Sequence, residues 1–146
     1  MKLCMIGTGY VGLVSGVCFS DLGNTVYCVD KNKDKIKSLN KGIVPIYEPG
    51  LEEVLKRNYK AKRLFFTDNL KEAVLKADII FICVGTPTKK NSNSADLKHV
   101  FQVANELKKI ITKYKIIITK STVPVSTGDK IEKILFNLKK KKLVDI

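Results

Sequence analysis

The chain has 146 residues, 45% hydrophobic and 28% charged, enough for one compact domain with a buried core and too short for two. That balance excludes a disordered, collagen-like or disulfide-scaffold protein. A net charge of +13 would suit a nucleic-acid binder, yet Arg57 and Arg63 are the only arginines among 27 basic residues, and arginine is the side chain that grips phosphates and bases bidentately. The lysines are spread over every predicted helix. They read as a compositional bias and as solvated helix faces, the run at residues 139–142 included, so no nucleic-acid partner is expected.

No apolar run approaches the roughly 18 residues of a membrane span, and the apolar stretch after Lys2 is too short for a signal peptide. Cys4, Cys18, Cys28 and Cys83 are irregularly spaced with no CxxC pair. Each sits in an apolar segment, where cysteine behaves as a small hydrophobe, so neither a metal site nor a disulfide framework is expected. A cytoplasmic protein with no membrane partner is the expectation.

In chain order, residues 2–6 form a short apolar run ending at glycine, the signature of a buried strand. Residues 10–22 follow helical spacing through Val14, Val17, Cys18 and Leu22. A strand at 25–30 and a short polar helix at 32–39 come next, then a loop at 42–50 in which Pro45 and Pro49 forbid regular structure. Leu51, Val54 and Leu55 mark a helix, and 64–67 a third strand. Asp68 is placed to cap a helix over 69–77. Residues 78–84 are almost wholly apolar, as in a strand covered on both faces. A polar loop at 85–95 precedes what reads as the longest helix, opened by Asp96, with Val100, Val103, Ala104, Leu107 and Ile110 inward. A fifth strand at 116–119 and a last helix from Thr127 or Gly128 follow, and residues 143–146 look like the opening of an unfinished sixth strand. Regular alternation of strand and helix predicts an α/β, Rossmann-type doubly wound parallel sheet, a single domain over residues 1–146, in strand order 3-2-1-4-5.

The strongest motif is Gly7-Thr8-Gly9-Tyr10-Val11-Gly12, placed directly after the first strand and opening the first helix. In that context Gly7 permits a tight turn, Gly9 lets a pyrophosphate approach the backbone, and Gly12 lets helix and strand pack closely. The free N–H groups and dipole of the helix then favour an anion. Asp30, 18 residues after Gly12, is positioned to bind adenosine ribose hydroxyls and to repel a 2′-phosphate, which favours NAD over NADP. It is also placed to cap the helix near Asn32, and the neighbouring Lys31, Lys33 and Lys35 could soften the repulsion. Val84-Gly85-Thr86-Pro87 and Lys120-Ser121-Thr122-Val123-Pro124 follow the fourth and fifth strands, where ligands of open α/β sheets gather.

These motifs, with Pro45-Ile46-Tyr47-Glu48-Pro49-Gly50-Leu51, occur in an order and spacing that resembles the N-terminal domain of the UDP-glucose/GDP-mannose dehydrogenase family, over nearly the whole chain. The resemblance implies a four-electron oxidation of a nucleotide sugar's C6 alcohol to a carboxylate, using two NAD in turn, with UDP-glucose as substrate. It implies that a cysteine thiolate traps the aldehyde as a thioester, which water then hydrolyses. Carried over, Gly7, Thr8, Gly9, Tyr10, Val11 and Gly12 hold the pyrophosphate, and Asp30 with Lys35 hold the adenosine end. Val84, Gly85, Thr86, Pro87, Ser121 and Thr122 line the nicotinamide side, and Thr122 also helps to position a water. The nucleophilic cysteine belongs to a C-terminal sugar-nucleotide domain absent from this chain, and Cys83 reads as an inert core thiol. Ser126 stands where the family usually has glycine, and His99 reads as a surface or rim residue. The chain alone is expected to bind NAD without catalysis, and the complete enzyme to form a homodimer or higher oligomer. The alternatives are a relative acting on UDP-N-acetylmannosamine or GDP-mannose, and a non-catalytic nucleotide-binding module.

Overall fold

The computed structural model describes residues 1–89, 92 and 94–146. Its elements alternate as β1 (Lys2–Ile6), α1 (Tyr10–Asp21), β2 (Thr25–Val29), α2 (Lys33–Asn40), α3 (Leu51–Lys60), β3 (Leu64–Thr67), α4 (Leu70–Lys76), β4 (Ile79–Ile82), α5 (Lys98–Ile110), β5 (Lys115–Thr119), α6 (Thr127–Lys140) and β6 (Val144–Asp145). The strands form one parallel sheet in the order β3-β2-β1-β4-β5-β6. The five-strand order read from the sequence is therefore present, and residues 143–146 do supply a short sixth strand, with Val144 beside Lys115.

Side chains of a strand alternate between faces, and β1 divides its residues accordingly. Leu3 and Met5 pack with Leu13 and Val17 of α1 and Leu55 of α3 on one side. Cys4 and Ile6 pack with Ala73, Val100, Leu107, Ile131 and Leu135 of α4, α5 and α6 on the other. Helices on both faces explain why β4 is apolar throughout.

Several boundaries differ from the sequence expectation. Helix α1 buries Gly12, Leu13, Gly16, Val17 and Ser20, while Cys18 and Leu22 are exposed and Val14 is only half-buried. This helix is apolar on every side, so periodicity cannot choose its inner face. The glycines choose it, because a Cβ at Gly16 would lie 2.7 Å from the Cys28 sulfur and only a bare backbone fits there. The cap of α4 is Asn69, whose side chain accepts from the Glu72 N–H at 3.1 Å, and not Asp68. Likewise Asn32, not Asp30, caps α2 by accepting from the Lys35 N–H at 3.0 Å. Asp96 stands two residues before α5, where its carboxylate accepts from the Lys98 N–H at 2.9 Å, and α6 is the longer helix. Strand β4 is shorter than residues 78–84: it ends at Ile82, and after a last bond from the Cys83 N–H to the Ile6 carbonyl at 2.8 Å the chain forms the loop above the sheet. Part of the predicted loop at 85–95 is present with a bridge between Thr88 and Ala95, and residues 90, 91 and 93 lie outside the described residues.

Lys115, at the start of β5, is buried, and its ammonium donates to the carbonyls of Leu75 and Ala77 at the end of α4. A helix end has carbonyls without intrahelical partners and a partial negative charge, and a lysine answers both. Lys115→Met would leave the buried Ala77 carbonyl without this donor. It is expected to lower stability by about 1–3 kcal/mol, measured as a shift in urea midpoint.

Ser126, where glycine was the expectation, takes a left-handed conformation (φ 70°) immediately before α6. The turn still forms, with the Thr127 hydroxyl donating to the Pro124 carbonyl at 2.7 Å, at the cost of the strain a Cβ meets there. Ser126→Gly is expected to stabilise the chain by about 0.5–1 kcal/mol, read as a rise in Tm.

Candidate functional site

At the carboxyl ends of the strands, where β1 meets β4 and the chain reverses direction across the sheet, lies a cleft of about 550 Å³. Its floor is apolar, from Ile6, Val29, Leu70, Val84 and Val103, and its rim carries Gly7, Gly9, Asp30, Lys35 and Gly85 together with Lys31, Asp68, His99 and Glu106.

The glycine turn is built by close approach. Gly7 has φ +103°, and a Cβ on it would lie 2.8 Å from the Cys83 carbonyl oxygen. A Cβ on Gly12 would lie 1.9 Å from the Gly7 carbonyl oxygen, so helix and turn touch backbone to backbone. Gly9 differs, because no protein atom lies within 4 Å of where its Cβ would be. The space above it is open, and Gly9 heads α1 with no side chain capping the helix. The N–H groups of that first turn are therefore free to meet an anion.

Asp30 ties the turn to β2. Its Oδ2 accepts from the Thr8 N–H at 3.0 Å, the Thr8 hydroxyl at 2.7 Å and the Lys35 ammonium at 3.0 Å, while Oδ1 accepts from the Asn32 N–H at 3.0 Å. Burial pushes this carboxyl upward, but hydrogen bonds from Asn32, Thr8 and Lys35 outweigh burial and hold it at about 2. Oδ2 is saturated, and Oδ1 keeps room for a further donor.

Not every residue singled out in the sequence meets in this cleft. Thr8 is buried beneath it, and Tyr10 and Val11 are exposed on the first turn of α1. The Ser121 hydroxyl donates to the Val84 carbonyl at 2.7 Å, and that of Thr86 to the Thr122 carbonyl at 2.8 Å. These bonds fasten the loops after β4 and β5 to one another. Thr122 itself is exposed, as are Pro87 and Pro124 of those loops. The 45–51 motif lies elsewhere, with residues 45–50 lining an open hollow beside α3 and Tyr47 exposed. Cys83 is buried, and burial pushes its thiol up to about 12, which leaves it unreactive at neutral pH. Asp68, Leu70, Val103 and Glu106 were missed. His99, Val103 and Glu106 share one face of α5 at helical spacing, but in the sequence Val103 belongs to the core stripe and the other two read as surface residues. Among the described residues no group of three His, Cys, Asp or Glu side chains could hold a metal ion, and no helix is long and apolar enough to cross a membrane.

A doubly wound parallel sheet with a glycine turn heading α1 and an acid at the end of β2 defines a Rossmann-type dinucleotide-binding domain. The family can be stated as well. Residues 1–146 match the NAD binding domain of the UDP-glucose/GDP-mannose dehydrogenase family, and the chain belongs to that family. UDP-glucose 6-dehydrogenase of Rhizobium meliloti is 51% identical over 135 residues, covering 92% of this chain and 31% of that protein. Among solved structures, a GDP-mannose dehydrogenase from Pseudomonas aeruginosa superposes with a TM-score of 0.91 at 36% identity, over 99% of this chain and 35% of that one. A UDP-glucose dehydrogenase from Pyrobaculum islandicum gives 0.86 at 37% identity, over 92% and 32%. The chain thus spans about a third of the length of the proteins it matches. NAD is the cofactor of the matched domain.

Proposed function

We propose that the chain is the NAD-binding portion of a UDP-glucose 6-dehydrogenase, which oxidises the sugar's C6 alcohol to a carboxylate with two NAD in turn. The observation that carries the reading is the open space over Gly9 at an uncapped helix N-terminus, beside an ionised Asp30 with an unsaturated Oδ1. NAD, when bound, would supply the hydride acceptor for the oxidation. The chain's own residues bind and orient it. The uncapped N–H groups at the start of α1 would face the pyrophosphate, with Gly7, Gly9 and Gly12 bringing the backbone close and Thr8, Tyr10 and Val11 completing the turn. Asp30 Oδ1 accepts from a ribose hydroxyl while Lys35 holds the carboxylate in place. Val84, Gly85, Thr86, Pro87, Ser121 and Thr122, in loops fastened to each other, face the nicotinamide end, and Thr122 helps to position a water near the reacting carbon.

UDP-glucose as the substrate is supported by the 51% identity to an enzyme of that name. The nucleophilic cysteine and the sugar pocket belong to a further domain, and the complete enzyme is a homodimer or higher oligomer. The GDP-mannose dehydrogenase superposition gives the second reading, in which that sugar nucleotide is the substrate. The test is calorimetric titration with NAD and NADP, alongside absorbance at 340 nm with NAD plus UDP-glucose or GDP-mannose. NAD binding in preference to NADP, with no absorbance rise from the 146-residue chain, is expected. Binding of neither dinucleotide would overturn the reading.

A further inference from the structure

Resting on the reading of Asp30 as the adenosine-ribose acid, we propose that Glu106 and Asp68 are specificity-determining residues that exclude the 2′-phosphate of NADP by engaging the lysines around that acid. Lys31, Lys33 and Lys35 follow Asp30 closely in the sequence, and three free ammonium groups would welcome a phosphate dianion. None of the three is free. The Lys35 ammonium lies 3.0 Å from Asp30 Oδ2. That of Lys31 lies 3.5 Å from Glu106 Oε1 on α5, and that of Lys33 3.8 Å from Asp68 Oδ2 in the turn before α4. Each acid comes from a different element, and together the six groups sum to zero charge at one end of the cleft.

The Lys31–Glu106 and Lys33–Asp68 pairs are exposed and contribute little to stability. Their consequence here is for the ligand. A 2′-phosphate arriving beside Asp30 meets lysines already neutralised and two further carboxylates at the rim, Asp68 and Glu106 both lining the cleft. The Asp30 carboxylate therefore does not repel the phosphate alone. Because Lys31 and Lys33 are solvated, the effect is screened by salt over about 10 Å.

The test compares the NADP-to-NAD affinity ratio by calorimetry in the wild-type chain and in D68N/E106Q, which keeps the shapes and removes both charges. The ratio is expected to rise about 5- to 30-fold at low ionic strength, and most of that gain to vanish near 0.5 M salt, about the concentration at which the Debye length falls below 5 Å. Adding K31Q and K33Q to that variant should reverse the gain, which a merely structural role for the acids would not produce. A ratio unchanged within about twofold, with NAD still bound, would overturn the proposal. Failure of the wild-type chain to bind NAD at all would instead overturn the reading of the cleft, and this proposal with it.

Discussion

Replacing Gly12 with alanine is expected to cost about 3 kcal/mol or more of folding stability, enough to unfold a chain of ordinary stability at 37 °C. The added Cβ would stand 1.9 Å from the Gly7 carbonyl oxygen and 3.0 Å from the Cys83 Cβ. Neither the turn nor α1 can retreat, because Gly7 donates its N–H to the Val29 carbonyl at 2.8 Å and its own Cβ position is closed by the Cys83 carbonyl. Relief requires α1 to lift from β1 and β2, which would uncover Leu13 and Val17, both fully buried. Gly9→Ala is the matched control. It meets no protein atom, so its urea midpoint should stay near wild type, and the methyl should obstruct only what approaches from outside. Equal stability losses for the two variants would contradict this division of labour between the glycines.

The second large effect concerns Asp30. In Asp30→Ala the affinity for NAD is expected to fall about 10- to 100-fold, the worth of one or two hydrogen bonds to a charged acceptor, and the preference over NADP to shrink. The same carboxylate also contributes to folding, and the sign follows from its titration. Its folded value, about 2, lies below the ordinary 3.8. The unfolded chain therefore binds the proton more readily, and the stability contribution is complete above about pH 4 and is lost as the pH falls towards 2. The contribution is about 2 kcal/mol. Urea midpoints of the wild-type chain and Asp30→Asn should differ at pH 6 and converge near pH 2. A gap that persists at pH 2 would mean that charge at Asp30 has no part in its structural role.

The sheet order was legible because its signals are redundant. Alternating apolar strands and amphipathic helices, with a glycine turn at the first crossover, leave few topologies open. Asp30 was legible for a similar reason, since the end of β2 is a fixed place relative to that turn. The inner face of α1 was not, because a helix apolar on all sides carries no phase, and the glycines that decide it act by what they lack. The caps of α2 and α4 shifted by one or two residues because Asp30 and Asp68 compete with Asn32 and Asn69 for the same role, and only geometry shows that the carboxylates point into the cleft. The α5 wall was hidden by dual use: Val103 serves core and cleft at once, and His99 and Glu106 look like ordinary surface residues until α5 is packed beside β4. The three lysine pairings depend on residues up to 75 positions apart, Lys31 and Glu106, which no local pattern records.

The most direct test of the account is a two-dimensional amide NMR titration of the 15N-labelled chain with NAD. Binding in the cleft predicts the largest shifts at the amides of Gly7, Thr8, Gly9, Tyr10 and Val11, with further shifts at Asp30, Lys35, Val84, Gly85 and the α5 face bearing His99 and Val103. Amides around Tyr47 and along the outer face of α6 should stay still. Shifts centred on the 45–51 loop or on the lysines of α6, with the glycine turn unmoved, would contradict the assignment of this cleft as the dinucleotide site.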